Sequence, residues 1–214
     1  MSALLLALDT STSTASVAVH DGERLLSETT WLAGREHSTR LLVEAERALE
    51  RVGRAPPALT GLVVARGPGS FTGVRVALSV ARGISAALSL PIWGVSSLDV
   101  VAHAVVGCDL PVRAVLEAGR GRFATALYRD GQCVEEPQLA TPEQLTELLH
   151  ERTVLIGELS ADARDMLART EQAVIASPSV SFRRAGVLAE LGWRQAQRGD
   201  PGDATRLEAI YIST

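Results

Sequence analysis

Lysine is absent from this chain, because all 21 basic residues among its 214 are arginine. The phosphate-binding loop of P-loop enzymes reads Gly, four residues, then Gly-Lys-Ser/Thr, and its lysine reaches the outer phosphates. Protein kinases and Schiff-base enzymes also need a lysine at the reacting centre. The composition therefore excludes these three classes of enzyme.

Cysteine, histidine and positive charge are also scarce. Cys108 and Cys133 stand alone, without a C-x-x-C pattern, which is typical of a reduced chain with incidental thiols. No two of the four histidines lie three to five residues apart, so the sequence predicts no metal site. The net charge is −4 and the pI is about 5.6, so any RNA contact would need the help of a partner.

Long apolar runs are missing as well. The opening run Ala3–Leu8 is too short for the core of a signal peptide and has no basic leader. No other segment approaches the length of a membrane span. We predict a soluble, cytoplasmic protein without a membrane contact.

The most informative segment that is present is the glycine-rich turn 67–73, with the sequence GPGSFTG. It follows an apolar strand-like run and opens a helix, which Ser70 or Thr72 could cap. Backbone N–H groups at such a helix start can cradle an anion. The alternative is that the glycines only let the helix pack close to the strand. The turn matches neither the P-loop nor the dinucleotide G-x-G-x-x-G pattern.

A pattern of strands and turns occurs twice along the chain. An apolar strand, a polar loop, an alternating strand, an Asp-Gly turn and a return strand occupy 3–31, and the same order recurs over 112–136. Both copies continue with helix, strand and helix. This duplication predicts two α/β lobes, each with a mixed sheet flanked by helices. We place an N-terminal lobe at 1–105 and a smaller, degenerate lobe at 106–214, whose final helix can pack back on the first.

An aspartate-plus-hydroxyl turn in a duplicated lobe resembles the actin, sugar-kinase and Hsp70 (ASKHA) architecture. More specific segments resemble the TsaB (YeaZ) family of tRNA threonylcarbamoyladenosine biosynthesis proteins. These segments are 6–11 with 15–19, 35–42, 65–75 and 91–98, which read LALDTS, ASVAV, REHSTRLL, ARGPGSFTGVR and PIWGVSSL. The resemblance is dense over about the first hundred residues and only architectural beyond them.

The resemblance implies an accessory subunit that lacks transferase activity. TsaB-like proteins pair with TsaD, which forms N6-threonylcarbamoyladenosine beside the anticodon of tRNAs reading ANN codons, and a TsaE-like ATPase acts with them. Alone, they form homodimers. TsaD carries a metal-binding His-x-x-x-His, and the matching positions here are Ser97 and Val101. Serine is a poor ligand and valine is none, so no metal is expected.

Two helices are predicted to carry the partner surface. Helix 36–52 has a broad apolar arc, and helix 74–88 is apolar nearly all round, so that it must bury more than one side. One side can pack on its own sheet while the other meets TsaD or a second copy. Alternatively, the second lobe or the final helix covers that side. The predicted interface residues are Leu41, Ala45, Ala48, Val74, Leu78, Ala81, Ile84 and Arg75.

Asp9 leaves two functions open. In kinases of this fold, the aspartate of the first hairpin holds magnesium through water. The alternative function is therefore a small ATP-dependent phosphotransferase or ATPase that uses Asp9 and the 67–73 turn. The other interpretation is that Asp9 caps its own turn. We expect no required cofactor, and at most weak ATP or ADP contact at Asp9, Thr10, Ser11, Gly67, Gly69 and Ser70.

Overall fold

The structure is a computed structural model that describes residues 3–33 and 37–212, without the side chains of residues 37–39. The predicted helix start at Glu36 therefore lies outside the described residues. The chain forms two compact units. The first comprises the described residues up to Ser97 together with Arg183–Ile210, and the second comprises Leu98–Phe182 and the start of the terminal segment.

The first unit is built on a five-stranded mixed sheet with the strand order β3-β2-β1-β4-β5. Strands β1, β2 and β3 form an antiparallel meander, while β4 and β5 run parallel to β1. The first hairpin turns at Asp21-Gly22, where Gly22 has φ +91°, a conformation that favours glycine. The strands are β1 Leu5–Asp9, β2 Thr14–His20, β3 Leu25–Leu32, β4 Gly61–Ala65 and β5 Ile92–Val95.

Helices cover both faces of this sheet. The helices α1 (His37–Arg51) and α2 (Phe71–Leu88) lie side by side on one face, over β2 and β4. Their apolar side chains share a core with alternate strand residues, including Leu6 and Val64. The last helix of the chain covers the other face, where its Gly192 lies against Val63.

The second unit repeats the same arrangement of strands. Strands β6, β7 and β8 are antiparallel, while β10 and β11 run parallel to β6, so the order β8-β7-β6-β10-β11 matches that of the first sheet. The duplicated ASKHA-like architecture predicted from the sequence is confirmed. The strands are β6 Val112–Glu117, β7 Phe123–Arg129, β8 Gln132–Cys133, β9 Gln138–Ala140, β10 Thr153–Gly157 and β11 Ala173–Ile175. The remaining helices are α3 Ser97–His103, α4 Pro142–Glu147, α5 Ala161–Leu167 and α6 Ala185–Gln197.

The boundary between the units lies earlier than the predicted position at 105–106. Leu98, Val101 and Ala102 pack in the core of the second unit, so α3 belongs there almost entirely. The predicted C-terminal lobe over 106–214 is too long, although the packing of its final helix on the first lobe, which the sequence analysis allowed, is observed. Helix α6 and the segment after it belong to the first unit, because α6 covers a face of the first sheet.

Candidate functional site

The predicted site residues at the end of β1 and in the glycine turn do come together. The Thr10 hydroxyl donates to the carbonyl of Gly73 at 2.6 Å, and the Ser70 N–H donates to the carbonyl of Ser11 at 2.5 Å. A Cβ on Gly69 would lie 2.1 Å from the Ser11 carbonyl oxygen, and one on Gly73 would lie 2.0 Å from that of Thr10. Glycine is therefore required at these two positions, because backbone meets backbone there.

Several backbone groups of the glycine turn form hydrogen bonds within the chain. Ser70 is the N-cap of α2, as predicted, and its hydroxyl accepts from the N–H of Gly73 at 3.2 Å. Gly67, at φ +89°, accepts through its carbonyl from the N–H of Ser97 at 2.8 Å. The N–H groups of Ser70 and Gly73 are thus already used, which favours the packing interpretation of this turn over an anion cradle.

Asp9 is engaged by a residue that the sequence did not single out. Its Oδ2 accepts from Nε of Arg183 at 2.9 Å, and its Oδ1 accepts from the N–H of Ser11 at 2.7 Å. Both side chains of the ion pair are 1% exposed. Arg183 lies 174 residues from Asp9 and just ahead of α6, next to a second arginine, Arg184, that is half exposed. Nothing in the sequence distinguishes the two arginines.

The two positions at which the resemblance implied no metal ligand, Ser97 and Val101, hold structural side chains. The Ser97 hydroxyl is fully buried and donates to the Ser11 hydroxyl at 2.9 Å, while Val101 lies in the core of the second unit. Within 3–33 and 37–212, no three His, Cys, Asp or Glu side chains are grouped so that they could hold a metal ion.

Most of the predicted interface residues belong to the core of the first unit. They are at most 5% exposed, because they point from α1 and α2 onto the chain's own sheet. A partner cannot reach them, and this part of the predicted interface is wrong. The residues concerned are Leu41, Ala45, Ala48, Val74, Leu78 and Ala81.

A different apolar strip of the same helices is accessible. Val76, Val80 and Ile84 recur every four residues along one flank of α2 and are only half buried. Leu42 on α1 is 51% exposed, and Phe71 at the start of α2 is 55% exposed. We call Val76, Val80, Ile84 and Leu42 the outer strip; Phe71 lies five positions before Val76, on a different side of α2. Of the predicted residues, the strip retains Ile84.

An aromatic ring and a guanidinium lie together at the start of α2. The guanidinium of Arg75, another predicted interface residue, lies 3.7 Å from the centre of the Phe71 ring and is exposed. Helix α2 is also the one helix of the described part of the chain that is long and apolar enough to cross a membrane by length and composition. A third of it is buried in the protein. Its apolar excess is the outer strip, which its own unit covers only in part.

Comparison with known proteins identifies the family to which the chain is related. Residues 31–187 match the family model described as TsaD, tRNA N6-adenosine threonylcarbamoyltransferase. The tRNA threonylcarbamoyladenosine biosynthesis protein TsaB of Bacillus subtilis is 34% identical over 125 residues, which are 58% of this chain and 55% of that protein. Alignments with the first curated relatives span only 39–65% of their lengths.

Solved structures extend the likeness to the whole chain. YeaZ from Pseudomonas aeruginosa superimposes with a TM-score of 0.76 at 25% identity, covering 97% of this chain and 100% of that one. The ROK hexokinase of Thermus thermophilus, at 12% identity and a TM-score of 0.52 over 92% of this chain and 100% of that chain, shares the fold alone. The chain therefore belongs to the TsaD family of ASKHA-fold proteins, and within it to the TsaB (YeaZ) proteins.

Proposed function

We propose that this chain is a non-catalytic subunit that binds a TsaD-like transferase through the outer strip. In that role it supports the formation of N6-threonylcarbamoyladenosine beside the anticodon of tRNAs that read ANN codons. The family match and the names of the TsaB relatives support this pathway. The observation that carries the subunit role is the outer strip itself, because accessible apolar surface of this kind is typical of protein interfaces.

The chemistry of Asp9 supports a subunit without a reaction of its own. Its carboxylate is buried and paired with Arg183, so it has little capacity to hold the magnesium of a nucleotide. The chain's net charge of −4 also suits a protein that reaches tRNA only through its partner. In the proposed assembly a TsaE-like ATPase supplies nucleotide hydrolysis, and two copies of this chain pair through the outer strip when the transferase is absent. These features disfavour the phosphotransferase alternative.

The partner role is tested by substituting the outer strip. Ile84→Glu and Val80→Glu each place a carboxylate in the proposed interface, which should weaken binding to the TsaD-like transferase by about 100-fold, or about 2.8 kcal/mol. The matched control is Val134→Glu, because Val134 is 50% exposed and belongs to the second unit, not to α1 or α2. Gel filtration of the mixed proteins, with and without ATP, measures the complex. Full binding by both strip variants would refute the interface.

The absence of catalysis needs its own measurement. The isolated chain is expected to show no ATP turnover above background, and Asp9→Ala should leave that background unchanged. A turnover by the isolated chain that disappears in Asp9→Ala would support the phosphotransferase alternative and reject the subunit role.

A further inference from the structure

The Asp9–Arg183 ion pair closes the turn between the first two strands. Asp9 is the last residue of β1 and Thr14 is the first of β2. Arg183 reaches both arms, because its Nε donates to Asp9 at 2.9 Å and its Nη2 donates to the Thr14 carbonyl at 2.8 Å. The Arg183 carbonyl in turn accepts from the Ser16 hydroxyl at 3.2 Å. The segment ahead of α6 is thereby joined to the first hairpin at three points.

The residues at Asp9 do not fit the divalent cation that the fold family implies there. A magnesium ion bound directly would lie about 2.1 Å from a carboxylate oxygen, and one held through water would need room for that water beside the same oxygen. At Oδ2 it would stand within a few ångströms of the Arg183 guanidinium, which is only 1% exposed, so solvent screens the repulsion little. Moving the arginine aside would leave a buried cation without its counter-charge, which is strongly destabilising.

We propose that Arg183 is a built-in counter-ion that takes the place of a metal ion at Asp9. One positive charge supplied by the chain neutralises the buried carboxylate, so the turn holds its shape without a metal or a nucleotide. Arg183 is then a positioning residue for α2. The same turn supplies Thr10 and Ser11, whose hydroxyl and carbonyl hold the glycine turn at the start of that helix.

Binding of Mn²⁺, followed by the paramagnetic resonance of the free ion, tests this assignment. The wild-type chain should bind no Mn²⁺ at this site, whereas Arg183→Met exposes an uncompensated carboxylate and should bind at least about tenfold more tightly. The gain should disappear in the double variant Asp9→Asn/Arg183→Met. The matched control is Arg184→Met, which removes the neighbouring, half-exposed arginine and should behave as wild type.

Three results would overturn the proposal. The first is Mn²⁺ binding by the wild-type chain that Asp9→Asn removes. The second is an Arg183→Met protein that folds and binds no more Mn²⁺ than wild type. The third result applies if Arg183→Met does not fold, and it concerns the stability of the double variant Asp9→Asn/Arg183→Met. The double variant, which has no buried charge, should then fold with a higher unfolding midpoint than either single variant, and a double variant no better than the singles would reject the counter-ion role.

Discussion

Two glycines of α2, ten positions apart, are expected to respond in opposite directions to the same substitution. Gly73 faces the Thr10 carbonyl oxygen, and a Cβ placed there would lie 2.0 Å from it. Apart from the adjoining residues and the backbone of its own helix, no atom of the described residues lies within 4 Å of a Cβ placed at Gly83. Both lie within a helix where alanine is favoured over glycine by about 0.5–1 kcal/mol. The surroundings of each glycine, and not the helix, therefore decide whether its substitution by alanine raises or lowers the free energy of unfolding.

Gly73→Ala should destabilise the first unit. An overlap of this depth with backbone costs about 1–3 kcal/mol or more, because the carbonyl has no flexible side chain to move aside. Relief of the overlap would also disturb the bond from Thr10 to the Gly73 carbonyl. Gly83→Ala should gain about 0.5–1 kcal/mol. The two variants should thus differ by about 3 kcal/mol, or about 1.5 M in urea midpoint if m is about 2 kcal/mol per M.

Urea unfolding followed by tryptophan fluorescence measures this difference. All three tryptophans, Trp31, Trp93 and Trp193, lie in the first unit, so the signal reports on that unit alone. A Gly73→Ala protein as stable as wild type would refute the close approach of the glycine turn to the first loop. Equal destabilisation by both substitutions would show that helix propensity had been misjudged here.

Three further predictions concern titratable and charged groups. Glu135→Ala should cost about 1–3 kcal/mol in thermal unfolding, because Nη2 of the buried Arg113 donates to this carboxylate at 2.8 Å, while the exposed Glu136→Ala should be neutral. Burial lowers the pKa of His20 from its ordinary 6.5, so on acidification the imidazole takes up a proton in the unfolded chain before it does so in the native protein. The free energy of unfolding should therefore fall as the pH drops below about 6.5. The fall should be smaller in His20→Gln. Burial, followed by a neighbouring carboxylate, raises the pKa of Tyr128 far above its ordinary value, so in an alkaline absorbance titration Tyr128 should ionise only when the protein unfolds.

Local patterns predicted most of the fold. The alternating strand predicted ahead of the first Asp-Gly turn is observed as Thr14–His20, because alternation and that turn define it. The recurrence of that turn 109 positions later correctly indicated a duplicated lobe. Two strands escaped prediction, Gln138–Ala140 and Ala173–Ile175, since three residues are too few for a period-two pattern. Their pairing with β7 and β10 is decided by the rest of the sheet.

The partner surface shows where periodicity stops being informative. Helix α2 is apolar over so wide an arc that the sequence requires two buried sides without saying which side is which. Leu78 and Val80 are both apolar and lie only two positions apart. The structure buries Leu78 under the first sheet and leaves Val80 half accessible. That choice follows from how the helix is rotated on the sheet, which no local pattern encodes.

The rotation of α2 is itself fixed by contacts at its first turn. Thr10 and Ser11 hold the carbonyl of Gly73 and the N–H of Ser70, and the buried pair of Asp9 and Arg183 anchors the turn that supplies them. The long-range ion pair therefore sets the direction in which the outer strip faces. A partner that docks on a helix already held in one orientation has less conformational entropy to remove on binding. Weakening Arg183 should thus reduce partner affinity without changing any residue of the strip, which separates orientation from contact in the same binding assay.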